Sequence, residues 1–278
     1  MFWNNRLIDE IIDRAIKEDI WTGDITSETL VEADAIGEAE ILVKETGVLA
    51  GLPLAEKVFY NFTDEIVFTQ LAEDGELVEK GQVVAEIKGP VREILKGERI
   101  ALNFLQRLSG IASRTRNYVE AVYNYPVKIV DTRKTTPTLR ILEKYAVKVG
   151  GAFNHRMGLY DAVMIKDNHI KAAGGIYQAV EKIKEELGHT VKIEIEVENL
   201  TGVEEALEAG VDIIMLDNMD PEEMAEAVEY IDKRAIVEAS GGITLKSIRE
   251  VAASGIDIIS VGALTHHIKS LDISLNLI

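Results

Sequence analysis

From Pro126 onward, short apolar runs alternate with amphipathic stretches, and that rhythm restricts the second half of the chain to parallel βα units. The runs are 127–130, 162–165, 191–195, 211–215, 236–238 and 256–261. Between them, 138–149, 170–187, 203–209, 221–230 and 245–253 read as helices. A Gly-X-Asp-Ile-Ile pattern occurs at Gly210–Ile214 and again at Gly255–Ile259, as repeated units of a (β/α) barrel require. No G-x-G-x-x-G follows the first run, so a dinucleotide-binding sheet is the weaker reading.

The first half reads differently. Leu7, Ile8, Ile11, Ile12, Ala15 and Ile16 recur at helical spacing over 5–18. Residues 36–50 read as a strand and turn, and 53–62 as a short helix opened by Pro53. Short strands with turn signals follow at 66–68, 77–78 and 83–87, which gives a small α+β region with antiparallel pairing. Their turns resemble those of lipoyl- and biotin-carrier modules, but no lysine occupies a suitable hairpin tip. A long helix is expected over 97–123, kinked at Gly110, with the domain boundary inside it near 108–115. The expected organisation is an N-terminal domain over 1–110 and a barrel domain over 111–269. The alternating segment Ile273–Leu277 pairs back onto the first domain, so that 270–278 joins it.

Composition narrows the setting. There is no cysteine among the 278 residues, which excludes disulfides, thiolate catalysis and cysteine-held metal. No apolar run reaches the roughly 18 residues a membrane span needs. The N-terminus lacks a signal-peptide apolar region, and the cytoplasm is the expected location.

The net charge is -18, yet nine bases face four acids between Pro126 and Lys171. A local basic island points to a pocket for a small, highly charged anion. A nucleic-acid surface needs a broad basic face. Arg140, Lys144 and Lys148 recur every four residues and are expected on a solvated helix face. Arg133, Lys134, Arg156 and Lys166 are different. Ligands of parallel α/β folds bind at the carboxyl ends of the strands. Those ends carry Asp131 to Lys134, Lys166 to Asn168, Glu196, Asp217 with Asn218, Ser240 to Gly242, and Gly262 with Ala263. The opposite ends are expected to carry no comparable concentration of Arg, Lys and Gly.

Roles follow from charge. Ser240-Gly241-Gly242 and Val261-Gly262-Ala263 leave the last two strands, where glycine lets backbone N–H groups approach a phosphate. Glu196 and Asp217 face inward at neighbouring strand ends, which suits Mg²⁺ or ribose hydroxyls. His155 and His169 lie in the basic stretch, but no His/His/carboxylate spacing for zinc is present. His266 and His267 are expected near the surface.

Together, Asp131-Thr-Arg-Lys-Thr-Thr-Pro137, Gly150-Gly-Ala-Phe-Asn-His-Arg156, Lys166-Asp-Asn-His-Ile170, Ile193-Glu-Ile-Glu-Val-Glu198, Leu216-Asp-Asn218 and Ser240-Gly-Gly-Ile243 resemble the quinolinate phosphoribosyltransferases. The resemblance runs from Glu18 to the C-terminus. It implies an incomplete (β/α) TIM-like barrel plus an N-terminal α+β sandwich domain, assembled at least as a homodimer. It implies transfer of phosphoribosyl from phosphoribosyl pyrophosphate to quinolinate with decarboxylation. Thr132, Arg133, Lys134, His155, Arg156 and Lys166 match residues lining the quinolinate site. Arg99 matches the arginine donated by the neighbouring subunit. Glu196 and Asp217 match the acids on the ribose and Mg²⁺ side, and Ser240–Gly242 and Val261–Ala263 match the phosphate loops. Lys134, Lys166, Glu196 and Asp217 are the catalytic candidates. Trp21-Thr22 and Ile100 depart from the pattern, away from the chemistry. Two alternatives stand beside this reading: a relative acting on another acceptor, such as the molybdenum-transport-associated members, and a non-catalytic anion-binding barrel.

Overall fold

Ile8 and Ile12 bury one face of helix α1 (Arg6–Asp19), whose first turn is capped by the Asn5 side chain accepting from Leu7 N–H at 3.0 Å. The computed structural model describes residues 2–278. After α1 come α2 (Ile25–Leu30), β1 (Ile36–Val43), β2 (Gly47–Val48) and α3 (Leu52–Tyr60), followed by β3 (Val67–Gln70), β4 (Leu77–Val78) and β5 (Val83–Pro90). Helix α4 (Val91–Ala121) leads to β6 (Lys128–Val130), α5 (Arg140–Val149), β7 (Val163–Ile165), α6 (Asp167–Ala173) and α7 (Ile176–Glu186). The chain continues through β8 (Ile193–Val197), α8 (Leu200–Glu208), β9 (Ile213–Asp217), α9 (Pro221–Ile231), β10 (Ile236–Ser240) and α10 (Ile248–Ala253). It closes with β11 (Ile258–Ser260), α11 (Ala263–His266) and β12 (Ile273–Leu277).

Contacts divide the chain into two units. One comprises 2–116, Thr136–Gly151 and His267–Ile278, and the other Asn117–Thr135 and Ala152–His266. In the first, an antiparallel sheet runs in the order β12-β1-β5-β3. The C-terminal strand does pair back, with Ile41 opposite Leu275 and Val43 opposite Ile273. Helix α4 continues through Gly110, so the glycine is not a junction between two helices. The glycine answers a packing demand instead: a Cβ there would overlap the Lys269 carbonyl oxygen and stand 3.0 Å from Ser270 Cα. Helix α5 also corrects the solvated-face expectation, because Lys144 is 1% exposed. Beside it the buried Glu143 accepts from Arg107 Nε at 3.0 Å and Nη2 at 2.6 Å.

The second unit is a six-stranded parallel sheet in the order β6-β11-β10-β9-β8-β7. The first and last strands of the βα series are neighbours, so the sheet curls as a barrel does. It stays open between β6 and β7, where a single parallel bridge joins Val130 to Phe153. The Gly-X-Asp-Ile-Ile repeat has a mechanical reason. Asp212 accepts the Ile193 N–H at 2.8 Å and Asp257 accepts the Val237 N–H at 2.9 Å, each tying a strand to its neighbour. Gly210 and Gly255, at φ +70° and +88°, take the left-handed turn before each aspartate. The single helix expected over 170–187 is two, because Gly174 and Gly175 at φ +91° and +148° end one and begin the next. No helix among the described residues is long and apolar enough to cross a membrane.

Candidate active site

Side chains alternate faces along a strand. In β8, Ile193, Ile195 and Val197 share one face, and Glu194 and Glu196 the other. The second face looks into the barrel. The same period brings Met164, Met215, Asp217, Ser240 and Ser260 to one cavity of about 470 Å³, at the carboxyl ends of the strands.

Thr132, Arg133, Lys134, His155, Arg156, Lys166, Glu196, Asp217, Ser240, Gly241 and Gly242 all line this cavity, as expected from strand ends scattered over 110 residues of sequence. Val261, Gly262 and Ala263 do not line it. Gly262 lies beneath Lys134, whose Cδ would stand 3.0 Å from a Cβ there, and Thr265 Oγ1 donates to the Lys134 carbonyl at 2.7 Å. Arg99 belongs to the first unit, on α4, with a side chain 59% exposed and 3.9 Å from Glu98. His169 is spent on structure: its Nδ1 accepts the Lys166 N–H at 3.0 Å. His266 and His267 are exposed.

The cavity is divided by charge. Arg133, Lys134, Arg156 and Lys166 come from β6, the open seam and β7. Burial and the neighbouring Arg133 lower the pKa of Arg156, and Glu194 and Asp161 act in the opposite sense. The other half holds Glu196, Asp217 and the glycine turn. Glu196 accepts from Lys166 Nζ, and Asp217 accepts from Asn218 Nδ2 at 2.8 Å. Gly241 and Gly242 have φ +94° and +58°, and open space surrounds the position of a Cβ on Gly242. Gly241 has no such room, since a Cβ there would overlap the Asn218 side chain.

Below this cavity lie two groups that the strand-end argument missed. Glu194 and Glu238 are 3% and 1% exposed on the inner face, and both face His155 Nε2, at 3.2 Å and 3.5 Å. The strand alternation is the signal for them, because each lies two residues before a cavity residue. Burial opposes a charge on His155, and the Glu194 and Glu238 carboxylates facing its ring favour one. The opposite mouth of the barrel is also more basic than expected. Lys128, Lys192, Lys233 and Arg234 line a depression there with Asp212 and Asp257.

With this geometry in place, comparison with known proteins is decisive. Residues 24–109 match the quinolinate phosphoribosyl transferase N-terminal domain, and residues 111–276 match the C-terminal domain. The chain belongs to the quinolinate phosphoribosyl transferase family. A probable nicotinate-nucleotide pyrophosphorylase (carboxylating) of Bacillus subtilis is 44% identical over 273 residues, covering 98% of this chain and 94% of its own. Its counterpart in Synechocystis is 45% identical over 275 residues, covering 98% and 93%. The crystal structure of NadC from Streptococcus pyogenes superposes with a TM-score of 0.94 at 44% identity, covering 98% of this chain and 97% of that one. As a member of this family, the protein is a mixed α/β chain that has a parallel six-stranded sheet forming a partial TIM-like barrel, plus an antiparallel sheet.

Proposed function

We propose that this chain transfers the phosphoribosyl group of phosphoribosyl pyrophosphate to quinolinate and decarboxylates the adduct, giving nicotinate mononucleotide, pyrophosphate and carbon dioxide. The observation that carries the reading is the divided cavity, with a cationic half and an acidic, glycine-bearing half beside it. Quinolinate is a pyridine dicarboxylate. Guanidinium groups recognise planar carboxylates through two parallel N–H bonds, so Arg133 and Arg156 suit its two acids. Two arginines argue for a dicarboxylate over a relative's other acceptor.

In the first step the pyridine nitrogen forms its bond to ribose C1 as the C1–oxygen bond to pyrophosphate breaks, through a transition state with cationic character at C1. Glu196 and Asp217 stabilise that cation, and the cavity's bases stabilise the departing anion. Both acids offer hard oxygen donors on adjacent strands, a pair that fits Mg²⁺. When bound, Mg²⁺ supplies further charge neutralisation at the phosphate oxygens. The ring nitrogen is now cationic. It draws the electron pair left at C2 when the adjacent carboxylate departs as carbon dioxide, and a proton then replaces it at C2. Lys134 and Lys166 are the cations assigned to that charge and proton. Ser240–Gly242 holds the 5-phosphate through backbone N–H groups, with Val261–Ala263 behind it.

Arg99 completes the acceptor site from the partner in a homodimer, a role its exposed guanidinium on α4 supports. The test is incubation with phosphoribosyl pyrophosphate, Mg²⁺ and either quinolinate or nicotinate. Nicotinate mononucleotide appearing with quinolinate alone is the expected result. Product from nicotinate, or from neither acid, overturns the assignment of the acceptor.

A further inference from the structure

Glu194 and Glu238 have no part in the steps above, yet both are buried carboxylates on the inner face of the sheet. Burying such groups is costly unless something pairs them. Both face His155 Nε2: Glu194 lies 3.2 Å from it, and Glu238 Oε1, 3.5 Å from it, is near the ring without making a hydrogen bond. Their three donor atoms are spaced as metal ligands are. A metal is nonetheless the wrong occupant. His155 Nδ1 accepts the Arg156 N–H at 2.8 Å, which requires a lone pair there. The ring proton therefore sits on Nε2, which has no lone pair to give a metal. Both ring nitrogens are thus used within the chain. The resemblance puts His155 at the substrate, and the residue lines the cavity while its ring is also held from below.

The segment it supports lies outside the regular strands. Asn154, His155 and Arg156 cross the open seam between β6 and β7, where only the bridge from Val130 to Phe153 continues the sheet. Buried carboxylates replace the missing ladder. Asp131 accepts from Asn154 Nδ2 at 2.7 Å and from the His155 N–H at 2.9 Å. Glu194 and Glu238 hold the ring, the ring holds the Arg156 N–H, and Arg156 Nη1 donates to the Ala162 carbonyl at 3.0 Å. Charge works in the same direction. Arg133 repels Arg156, and Glu194 offsets that repulsion from below.

We propose that Glu194 and Glu238 are positioning residues that act through His155 to hold Arg156 towards the acceptor's carboxylate. The inference rests on the quinolinate reading of the cavity. It is tested with Glu194→Gln and Glu238→Gln in the full chain, varying quinolinate at saturating phosphoribosyl pyrophosphate and then the converse. The KM for quinolinate should rise about 10–100-fold, the loss typical when an outer partner that orients a ligand-holding group is removed. The KM for phosphoribosyl pyrophosphate should stay within about twofold, because its half of the cavity does not touch this chain of bonds. In a His155→Asn background, Glu238→Gln should add nothing further, since the path runs through His155. His155→Asn alone carries the same KM test if either Gln variant melts below the assay temperature. Unchanged quinolinate KM, or additive effects of His155→Asn and Glu238→Gln, overturns the inference and leaves the proposed reaction intact. A wild-type protein that does not consume quinolinate overturns both.

Discussion

Replacing Arg156 by lysine keeps the charge of the cavity and removes only the planar fork, so it isolates the claim that the basic half reads a carboxylate. Arg156 spends Nη1 on the Ala162 carbonyl at 3.0 Å, and the residue lines the cavity. A lysine ammonium is a point charge on a flexible stem and cannot make both parallel bonds. Hydrogen bonds to charged groups contribute about 1.5–3 kcal/mol each. Losing one of the pair therefore weakens acceptor binding about 10- to 150-fold, at roughly 1.4 kcal/mol per tenfold. The assay is steady-state release of pyrophosphate with each substrate varied in turn, alongside thermal melting. Arg156→Lys should raise the KM for quinolinate by that factor, with the KM for phosphoribosyl pyrophosphate and the melting temperature little changed. An unchanged quinolinate KM, or an equal rise in both KM values, would show that Arg156 supplies general charge and reads no carboxylate.

Two further outcomes test the frame around the cavity. Arg107→Ala strands the fully buried Glu143 carboxylate, which should cost about 3–5 kcal/mol and lower the melting temperature by roughly 6–20 °C. Arg107→Ala with Glu143→Leu should recover part of that loss. Asp24 caps α2 by accepting from the Thr26 and Ser27 N–H groups at 3.0 Å, and the Ser27 hydroxyl bond holds its pKa below the ordinary 3.8. A carboxylate with a lowered folded pKa stabilises above its unfolded value and stops doing so as pH falls through the folded one. Asp24→Ala should therefore cost about 1 kcal/mol near pH 7 in denaturant unfolding, and the gap to wild type should narrow as pH falls below the ordinary carboxylate range. A gap independent of pH would assign the effect to packing.

Much of this molecule is legible in the amino-acid order because a parallel barrel is a periodic object. The six apolar runs give six strands, and their carboxyl ends, scattered from Thr132 to Gly242, meet in one cavity. What escapes is what periodicity does not describe. Glu194 and Glu238 sit on the same faces as Glu196 and Ser240, but attention to strand ends passes over residues in mid-strand. Lys144 reads as solvated from its spacing and is buried by packing on α5. Gly110 looks like a hinge, and only the fold shows the Lys269 backbone crossing it. Val261–Ala263 has the residues of a phosphate loop, yet Lys134 covers Gly262. The order of events within the cavity is likewise a matter of chemistry that no spacing encodes.

That order can be read with quinolinate carrying ¹³C in its 2-carboxyl group, following labelled carbon dioxide and pyrophosphate in the same tube. If transfer creates the cationic ring that makes decarboxylation possible, labelled carbon dioxide appears only when phosphoribosyl pyrophosphate is present, one for each pyrophosphate released. Labelled carbon dioxide without phosphoribosyl pyrophosphate, or pyrophosphate released with no labelled carbon dioxide, would contradict the account.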